Sequence, residues 1–528
     1  MLKTVIGHSG CMSAPHHLAT KAGIDILNNG GTAIEAMVAA AATIAVVYPH
    51  MNSIGGDGYW IIKKKNQAPI AIEACGQAAA LATPSWYAEH GYKAQLPTRG
   101  GLAALTVPGT IDGWQQALSL RSGKNNMPLS ALLNAAIDHA KNGVAITQNQ
   151  SDCTSSKIDG LRDVAGFADI FLTNGEVPEA GDKLRQPALA ATFQQLAHAG
   201  FDDYYHGDIA DAHDRFWRQN KSPLRRFDLA GYRSVQTKPL ELTTSLGTFY
   251  NTNPPTQGVS SLMILGIFDR LSISPDSAFD HLHGIVEATK QAFIVRNAEL
   301  GDPSSMRIKT CDMLSDAMLD SLAANIDMKR AMPWPETAKA GDTIWMGACD
   351  SDGTIVSFIQ SVFWEFGSGL TCAETGVFFQ NRGAGFSLQP GPNQLAPGKK
   401  PFHTLNPALG NLRDGRLIAY GTMGGEGQPQ TQAALLTRYA SYGTDLQEAI
   451  SMPRWLLGKT WGEDTTSLKL ENGTDGSLVQ SLKQAGHEIE MVPALSDLMG
   501  HAGAVVLHPD GQVSAATDPR SDGLALAI

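Results

Sequence analysis

A turn of four residues limits the C-terminal third of this chain more than anything else in it. Residues 343–349 and 354–361 are both rich in strand-forming side chains, and only Asp350-Ser351-Asp352-Gly353 separates them. Four residues are too few for a crossover, so the two runs must pair as an antiparallel hairpin. The pattern returns at the end of the chain, where 504–507 and 512–516 flank His508-Pro509-Asp510-Gly511.

Upstream the periodicity changes. The stretch 125–330 reads as mostly helical, with amphipathic segments at 128–142, 187–199 and 278–300. An extended piece near 240–251 interrupts it, followed by Asn253-Pro254-Pro255-Thr256-Gln257-Gly258, where two prolines disfavour regular structure. The first 120 residues mix the two types. They hold a helix around 19–27, the turn Asn28-Asn29-Gly30-Gly31 and a helix over 33–47 capped by the Thr32 hydroxyl. Asn52-Ser53-Ile54-Gly55-Gly56-Asp57-Gly58 and a strand over 59–63 follow. From residue 331 the chain fills with breakers and loses periodicity, which marks a loop or linker running up to Gly341-Asp342. There is no internal repeat of fixed period.

At 528 residues, 43% hydrophobic and 17% charged, the chain has an ordinary globular composition and is long enough for two domains or one large layered core. With 40 Lys and Arg against 51 Asp and Glu, its net charge of −11 offers no diffuse basic surface for nucleic acid or an anionic membrane. A small anion needs only two or three cations in one pocket, so such a ligand stays open. Cys11, Cys75, Cys153, Cys311, Cys349 and Cys372 are scattered, with no CxxC pair and no Cys/His cluster at ligand spacing. That usage reads as reduced, intracellular and free of metal. The first 20 residues lack a signal-peptide core, and the most apolar run, 36–47, falls short of the ~20 residues of a membrane span. A cytoplasmic protein is expected.

Several motifs fall away on inspection. Gly458-Lys459-Thr460 imitates the end of a P-loop, but Pro453 stands where the loop needs its first glycine. Gly367-Ser368-Gly369 is not a G-x-S-x-G elbow. His281 and His283 are two apart and would point to different helix faces, which favours a structural role over a metal site with Glu287. Two glycine clusters survive, 52–58 and 421–427. Consecutive glycines let backbone N–H groups converge, which suits an oxyanion hole as well as a tight turn. Thr343 opens a strand directly after the breaker-rich loop. If the Asp342–Thr343 bond were cut, its α-amine, of ordinary pKa ~7.7, would be a general base beside its own hydroxyl. The local pattern by itself asks for no more than an ordinary strand residue.

Taken in order, a set of short runs resembles the γ-glutamyltransferase family of N-terminal-nucleophile hydrolases over nearly the whole chain. Near the start these are Ala22-Gly23-Ile24-Asp25-Ile26-Leu27, Gly30-Gly31-Thr32-Ala33, Gly55-Gly56-Asp57-Gly58 and Val107-Pro108-Gly109-Thr110. Mid-chain they are Asn253-Pro254-Pro255 and Glu299-Leu300-Gly301-Asp302-Pro303. Further on come Gly367-Ser368-Gly369, Pro401-Phe402-His403-Thr404-Leu405-Asn406-Pro407, Gly424-Gly425, Pro453-Arg454 and Asp518-Pro519-Arg520-Ser521-Asp522-Gly523. The resemblance implies an α+β fold, a four-layer αββα sandwich made as a precursor that cuts itself between Asp342 and Thr343. A large subunit, 1–342, and a small one, 343–528, would share one core, alone or as a dimer of such pairs. Thr343 would be nucleophile and base, Ser361 would take the place of a second Thr that hydrogen-bonds the nucleophile, and Gly424 and Gly425 would form the oxyanion hole. No cofactor or metal is implied.

The departures bear on substrate. Members acting on glutathione hold the glutamyl α-carboxylate with an Arg where this chain has Cys75, and the α-amino group with an Asp and an Asn where it has Gly385 and Phe363. Leaving those charges unpaired in a closed pocket costs several kcal/mol, so a γ-glutamyl group should bind poorly. Phe363 and Trp364 would shrink the pocket, while Arg382, His403 and Thr404 would line it. An Arg fork in a small pocket points to a small carboxylate-bearing amide. Within the family the pattern is most similar to the subgroup that hydrolyses oxamate to oxalate and ammonia in purine-nitrogen salvage. The alternatives are a γ-glutamyl or glutaryl amide hydrolase or transferase, with Arg382 as carboxylate anchor, and an unprocessed, non-catalytic binding protein.

Overall fold

The computed structural model describes residues 2–121, 126–274, 276–334, 342–458 and 466–528. Lys459, Thr460 and Gly341 therefore lie outside the described residues, as does most of the loop expected before Thr343.

Both hairpins form. The first pairs Asp342–Asp350 with Ile355–Phe363, the second Ala502–Leu507 with Val513–Thr517. Each is built into a larger sheet, the first at its middle and the second one strand in from an edge. One seven-stranded sheet runs edge to edge through Leu524–Ala527, Gly10–Ala14, Asp342–Asp350, Ile355–Phe363, Asp57–Lys63, Ile70–Ala74 and Val235–Thr237. The other, also seven-stranded, runs Val5–Gly7, Val513–Thr517, Ala502–Leu507, Leu417–Thr422, Ala408–Leu412, Gly247–Asn251 and Leu240–Thr244. Every neighbouring pair in both is antiparallel.

Strand alternation then dictates the layers. In the Asp342–Asp350 strand, Ile344, Met346 and Ala348 join a core built with the helices of the first 230 residues, while Trp345 and Cys349 face the other way. They meet Leu409, Ala419, Val505 and Ala515 of the second sheet in a separate apolar layer. The second sheet turns Phe249, Ile418, Tyr420 and Val506 outward onto Gly258–Arg270, Ala278–Glu299 and Gln428–Ser441. Helices, sheet, sheet, helices: the chain is an α+β, four-layer αββα sandwich around three apolar layers.

Trp345 shows how closely the sheets approach. A Cβ at Gly421 would come within 2.1 Å of its ring and one at Gly503 within 2.5 Å, so the indole needs both glycines opposite. Ala33–Val47 forms with Thr32 as N-cap and Glu35 completing a capping box, and all its residues are buried, as its Ala-rich composition requires. Among the described residues no helix is long and apolar enough to cross a membrane. The six cysteines form no disulfide among the described residues.

Candidate active site

Thr343 lies at the head of a central strand, 1% exposed, on the face that Trp345 shares and so toward the space between the sheets. The register there is irregular. Asp342 pairs with Phe363 and Ile344 with Gln360, so the partner strand carries an extra residue opposite Thr343. A bulge of this kind bends a strand and re-aims its side chains. It brings Ser361 Oγ within 3.3 Å of Thr343 Oγ1, which donates to it, and Ser361 Oγ also accepts from the Phe363 N–H at 2.8 Å. Gly56 makes the bulge possible, since a Cβ there would stand 2.2 Å from the Ser361 carbonyl oxygen.

The second glycine cluster reaches the same point from the opposing sheet. Gly424 and Gly425 have φ of +114° and +52°, a left-handed pair that side chains resist and that gathers successive N–H groups. The short turn Gly425–Gly427 leads into the helix Gln428–Ser441, and Gln428 Nε2 lies 3.4 Å from Thr343 Oγ1. Gln257 fixes this turn from behind, donating to the carbonyls of Gly425 at 2.8 Å and Thr404 at 2.9 Å.

Beside Phe363 lies a buried cation. Arg382 is 1% exposed, its guanidinium stacked 3.9 Å from the Phe363 ring centroid. Both terminal nitrogens reach only the Thr404 hydroxyl, at 3.3 Å, and Nε has no hydrogen-bond partner among the described residues. Burial brings its pKa down to about 10, so the group is still a cation at neutral pH, while the charges of Asp57, Cys75 and Tyr59 act to raise it. These neighbours place Arg382 against the position where glutathione-active relatives were expected to carry their own Arg, here the buried Cys75. Trp364 stands further out, its ring 5.9 Å from Phe363 and 5.8 Å from the Arg99 guanidinium. Gly385 leaves little room, a Cβ there meeting the Phe402 carbonyl at 3.2 Å.

His403 is fully committed to the protein. Its Nδ1 accepts from the Leu405 N–H at 3.3 Å, which leaves Nε2 to donate to Asp57 Oδ2 at 3.1 Å. Burial, then the charges of Arg382 and Lys400, holds its pKa well below the ordinary imidazole value, so it stays neutral. Asp57 also accepts from Gln380 Nε2 at 2.9 Å and the Gly76 N–H at 3.2 Å. Burial nonetheless pushes the carboxyl up from 3.8 to about 7, against the pull of Gln380, Arg382 and the Gly76 and Gly109 N–H groups. Potential metal ligands converge twice among the described residues, as Asp57/Cys75/His403 and as His283/Glu287/His487. A protein cation already attends each: Arg382 acts on Asp57, and Lys290 Nζ is 2.6 Å from Glu287.

The arrangement unites Thr343, Ser361, Phe363, Arg382, Thr404 and the Gly424–Gly425 turn. Sequence reasoning passed over three residues that bond to it or to its neighbours. Asp57 stood inside a quoted run but read as part of a glycine turn. Gln257 and Gln428 carry no spacing signal, and only their nearness to glycine clusters could have drawn attention to them.

The site thus offers a buried hydroxyl at a strand head, a hydroxyl partner and a left-handed glycine pair. Residues 19–528 match the gamma-glutamyltranspeptidase family, and the chain belongs to that family. It is 48% identical to the oxamate amidohydrolase proenzyme of Klebsiella pneumoniae, covering 98% of each chain. It is 36% identical to a glutathione hydrolase-like proenzyme of Bacillus subtilis over the whole of both. The cephalosporin acylase of Bacillus halodurans superposes with a TM-score of 0.92 at 29% identity, covering 100% of this chain and 97% of that one. Family and fold together make the protein an amidohydrolase of the N-terminal-nucleophile type.

Proposed function

We propose that the protein is a self-cleaving threonine amidohydrolase whose substrate is a small anionic amide, oxamate above all. One observation carries this reading: a fully buried guanidinium, stacked on the ring of Phe363, whose backbone N–H bonds Ser361 Oγ, has a hydroxyl and an aromatic face for company and no carboxylate within ion-pair distance among the described residues. Such a cation is costly unless an anion completes it. The 48% identity to an oxamate amidohydrolase supports the same choice.

In this reading the Asp342–Thr343 bond is cut first, giving subunits 1–342 and 343–528. Arg382 and Thr404 hold the substrate carboxylate, Phe363 backs the guanidinium, and Trp364 closes the outer side. The Thr343 hydroxyl attacks the amide carbon while its freed α-amine takes the proton, and the N–H groups at Gly424 and Gly425 receive the oxyanion. Ser361 orients the hydroxyl. His403 acts through Asp57 rather than on substrate. Ammonia leaves, water resolves the ester, and oxalate departs. The setting we favour is the cytoplasm, in the salvage of purine nitrogen.

The test joins N-terminal sequencing to turnover. A small subunit beginning Thr343-Ile344-Trp345, ammonia release from oxamate, and loss of both in Thr343→Ala are the expected results. Preference for glutathione or a glutaryl anilide over oxamate would move the substrate to the γ-glutamyl or glutaryl class, which the 36% identity to a glutathione hydrolase-like protein keeps in view. One uncut, inactive chain would replace the enzyme with a binding protein.

A further inference from the structure

Gln428 is the first residue of the helix that follows the glycine turn, and it is fully buried. Its Nε2 donates to Thr343 Oγ1 at 3.4 Å, while its Oε1 has no hydrogen-bond partner among the described residues. A buried carboxamide oxygen is a strong acceptor and is rarely left unused. Here it stands on the same planar group that touches the nucleophile.

The shape of that group suggests what it receives. The oxygen and nitrogen of a carboxamide are spaced much as two heteroatoms are on one tetrahedral carbon. When the Thr343 oxygen adds to an amide, the carbon carries that oxygen and the departing nitrogen side by side. We propose that Gln428 binds both, its Nε2–H on the Thr343 oxygen and its Oε1 on an N–H of the departing nitrogen, so that the site prefers an amide to an ester of the same acid. The proposal rests on Thr343 as the nucleophile.

The bonds balance without a further reactant. The Oγ–C bond forms, the hydroxyl proton passes to the α-amine, and the carbonyl electron pair moves to the oxyanion. As the pair returns, the C–N bond breaks and the α-amine delivers its proton to the nitrogen, which leaves as ammonia. Oε1 accepts from that nitrogen as it gains positive character. Water then adds to the ester as the α-amine takes its proton, the carbon–Oγ bond breaks, the α-amine returns that proton to the Thr343 oxygen, and Nε2–H supports this oxygen as it departs. An alcohol leaving group has no N–H for Oε1, and an ester therefore forgoes half of the interaction.

The experiment compares kcat/KM for oxamate and for monomethyl oxalate in the wild type, Gln428→Leu and Gln428→Glu. The Leu variant loses both ends and should depress the amide:ester ratio by roughly tenfold. The Glu variant keeps an acceptor, so both rates fall while the ratio stays within about threefold of the wild type. Equal losses on the two substrates in Gln428→Leu would overturn the proposal, because a residue that only supports the fold cannot tell the leaving groups apart. If the Leu variant does not fold, the ratio in Gln428→Glu decides alone, and collapse of it to the ester side overturns. If the wild type hydrolyses neither compound, the oxamate reading fails by itself, and Gln428 is judged on precursor cleavage. Roughly tenfold slower cleavage in Gln428→Leu then sustains its contact with the nucleophile, and an unchanged rate ends the proposal.

Discussion

Arg382 and Asp57 are both buried and each acts on the other's charge, and those charges answer to pH in opposite ways. Arg382 remains cationic at neutrality. Asp57, raised to about 7, is mostly neutral in mild acid and leaves the cation to the substrate; above that it ionises and competes for it. KM for oxamate should therefore climb as pH rises through neutrality, and Asp57→Asn should flatten it, in initial-rate measurements between about pH 5.5 and 8.5. Under the proposed mechanism kcat should move the other way, rising as the α-amine freed at Thr343 loses its proton near ~7.7. Stability follows the same carboxyl. A group whose folded pKa lies above its unfolded one stabilises the fold on the acid side and loses that contribution as pH rises from 3.8 through about 7. His403 is neutral throughout this window and adds no titration of its own. Replacing the cation tests the anchor directly. Arg382→Met should lower kcat/KM for oxamate roughly a hundredfold, the scale of breaking a buried charge-assisted contact, while the subunits still form. A small effect would move the carboxylate anchor elsewhere.

At the scale of elements, the site depends on a close approach between the Gly55-Gly56 turn and the bulged strand that carries Ser361. Gly56→Ala would set a methyl 2.2 Å from the Ser361 carbonyl, and backbone cannot yield there as a flexible side chain would. A loss of about 2–3 kcal/mol in denaturant unfolding is expected, with slower precursor cleavage. Gly476→Ala, at a helical position with nothing within 4 Å of the added carbon, should be near neutral and serves as the control. These elements were largely legible in the sequence, because hairpins, caps and amphipathic helices are local. The turn Asp350-Ser351-Asp352-Gly353 identified its hairpin, and Thr32 marked the start of the helix over Ala33–Val47. Pairing between distant segments was not legible. Nothing near Asp57 announces His403, 346 positions away, and the extra residue opposite Thr343 is a matter of register that a residue pattern does not carry. The resemblance pointed to Thr343, Ser361 and the glycine pair, yet it ranked a structural motif beside them. Pro453-Arg454 and Asp518-Pro519-Arg520 form a buried ion network in which Asp518 pairs with both Arg454 and Arg520, and Arg520 with Glu471. That network braces the strand entering at Ala502, whose N–H Asp518 holds.

On the scale of the whole molecule, the proposed cut falls inside the architecture rather than between domains. Asp342–Asp350 and Ile355–Phe363 lie between Gly10–Ala14 and Asp57–Lys63, and Leu524–Ala527 closes the far edge beside Gly10–Ala14, so strands of the two pieces alternate across the sheet. The other sheet is interleaved too, with Val5–Gly7 at one edge and Gly247–Asn251 and Leu240–Thr244 at the other, around four strands from the small subunit. Neither piece alone can close its sheets. A large subunit by itself would present unpaired edges at Gly10–Ala14 and Asp57–Lys63 and strip one side of the apolar layer around Trp345. Cleavage at Thr343 should therefore free an amine without freeing a subunit. After self-cleavage the two pieces are expected to elute together in size-exclusion chromatography and to unfold in one cooperative transition. Residues 1–342 and 343–528 produced separately should aggregate, whereas production together restores the soluble particle. Independent folding of either piece would mean that the interleaved sheets are not what holds the subunits together, and that the Asp342–Thr343 bond is not an internal cut in one core.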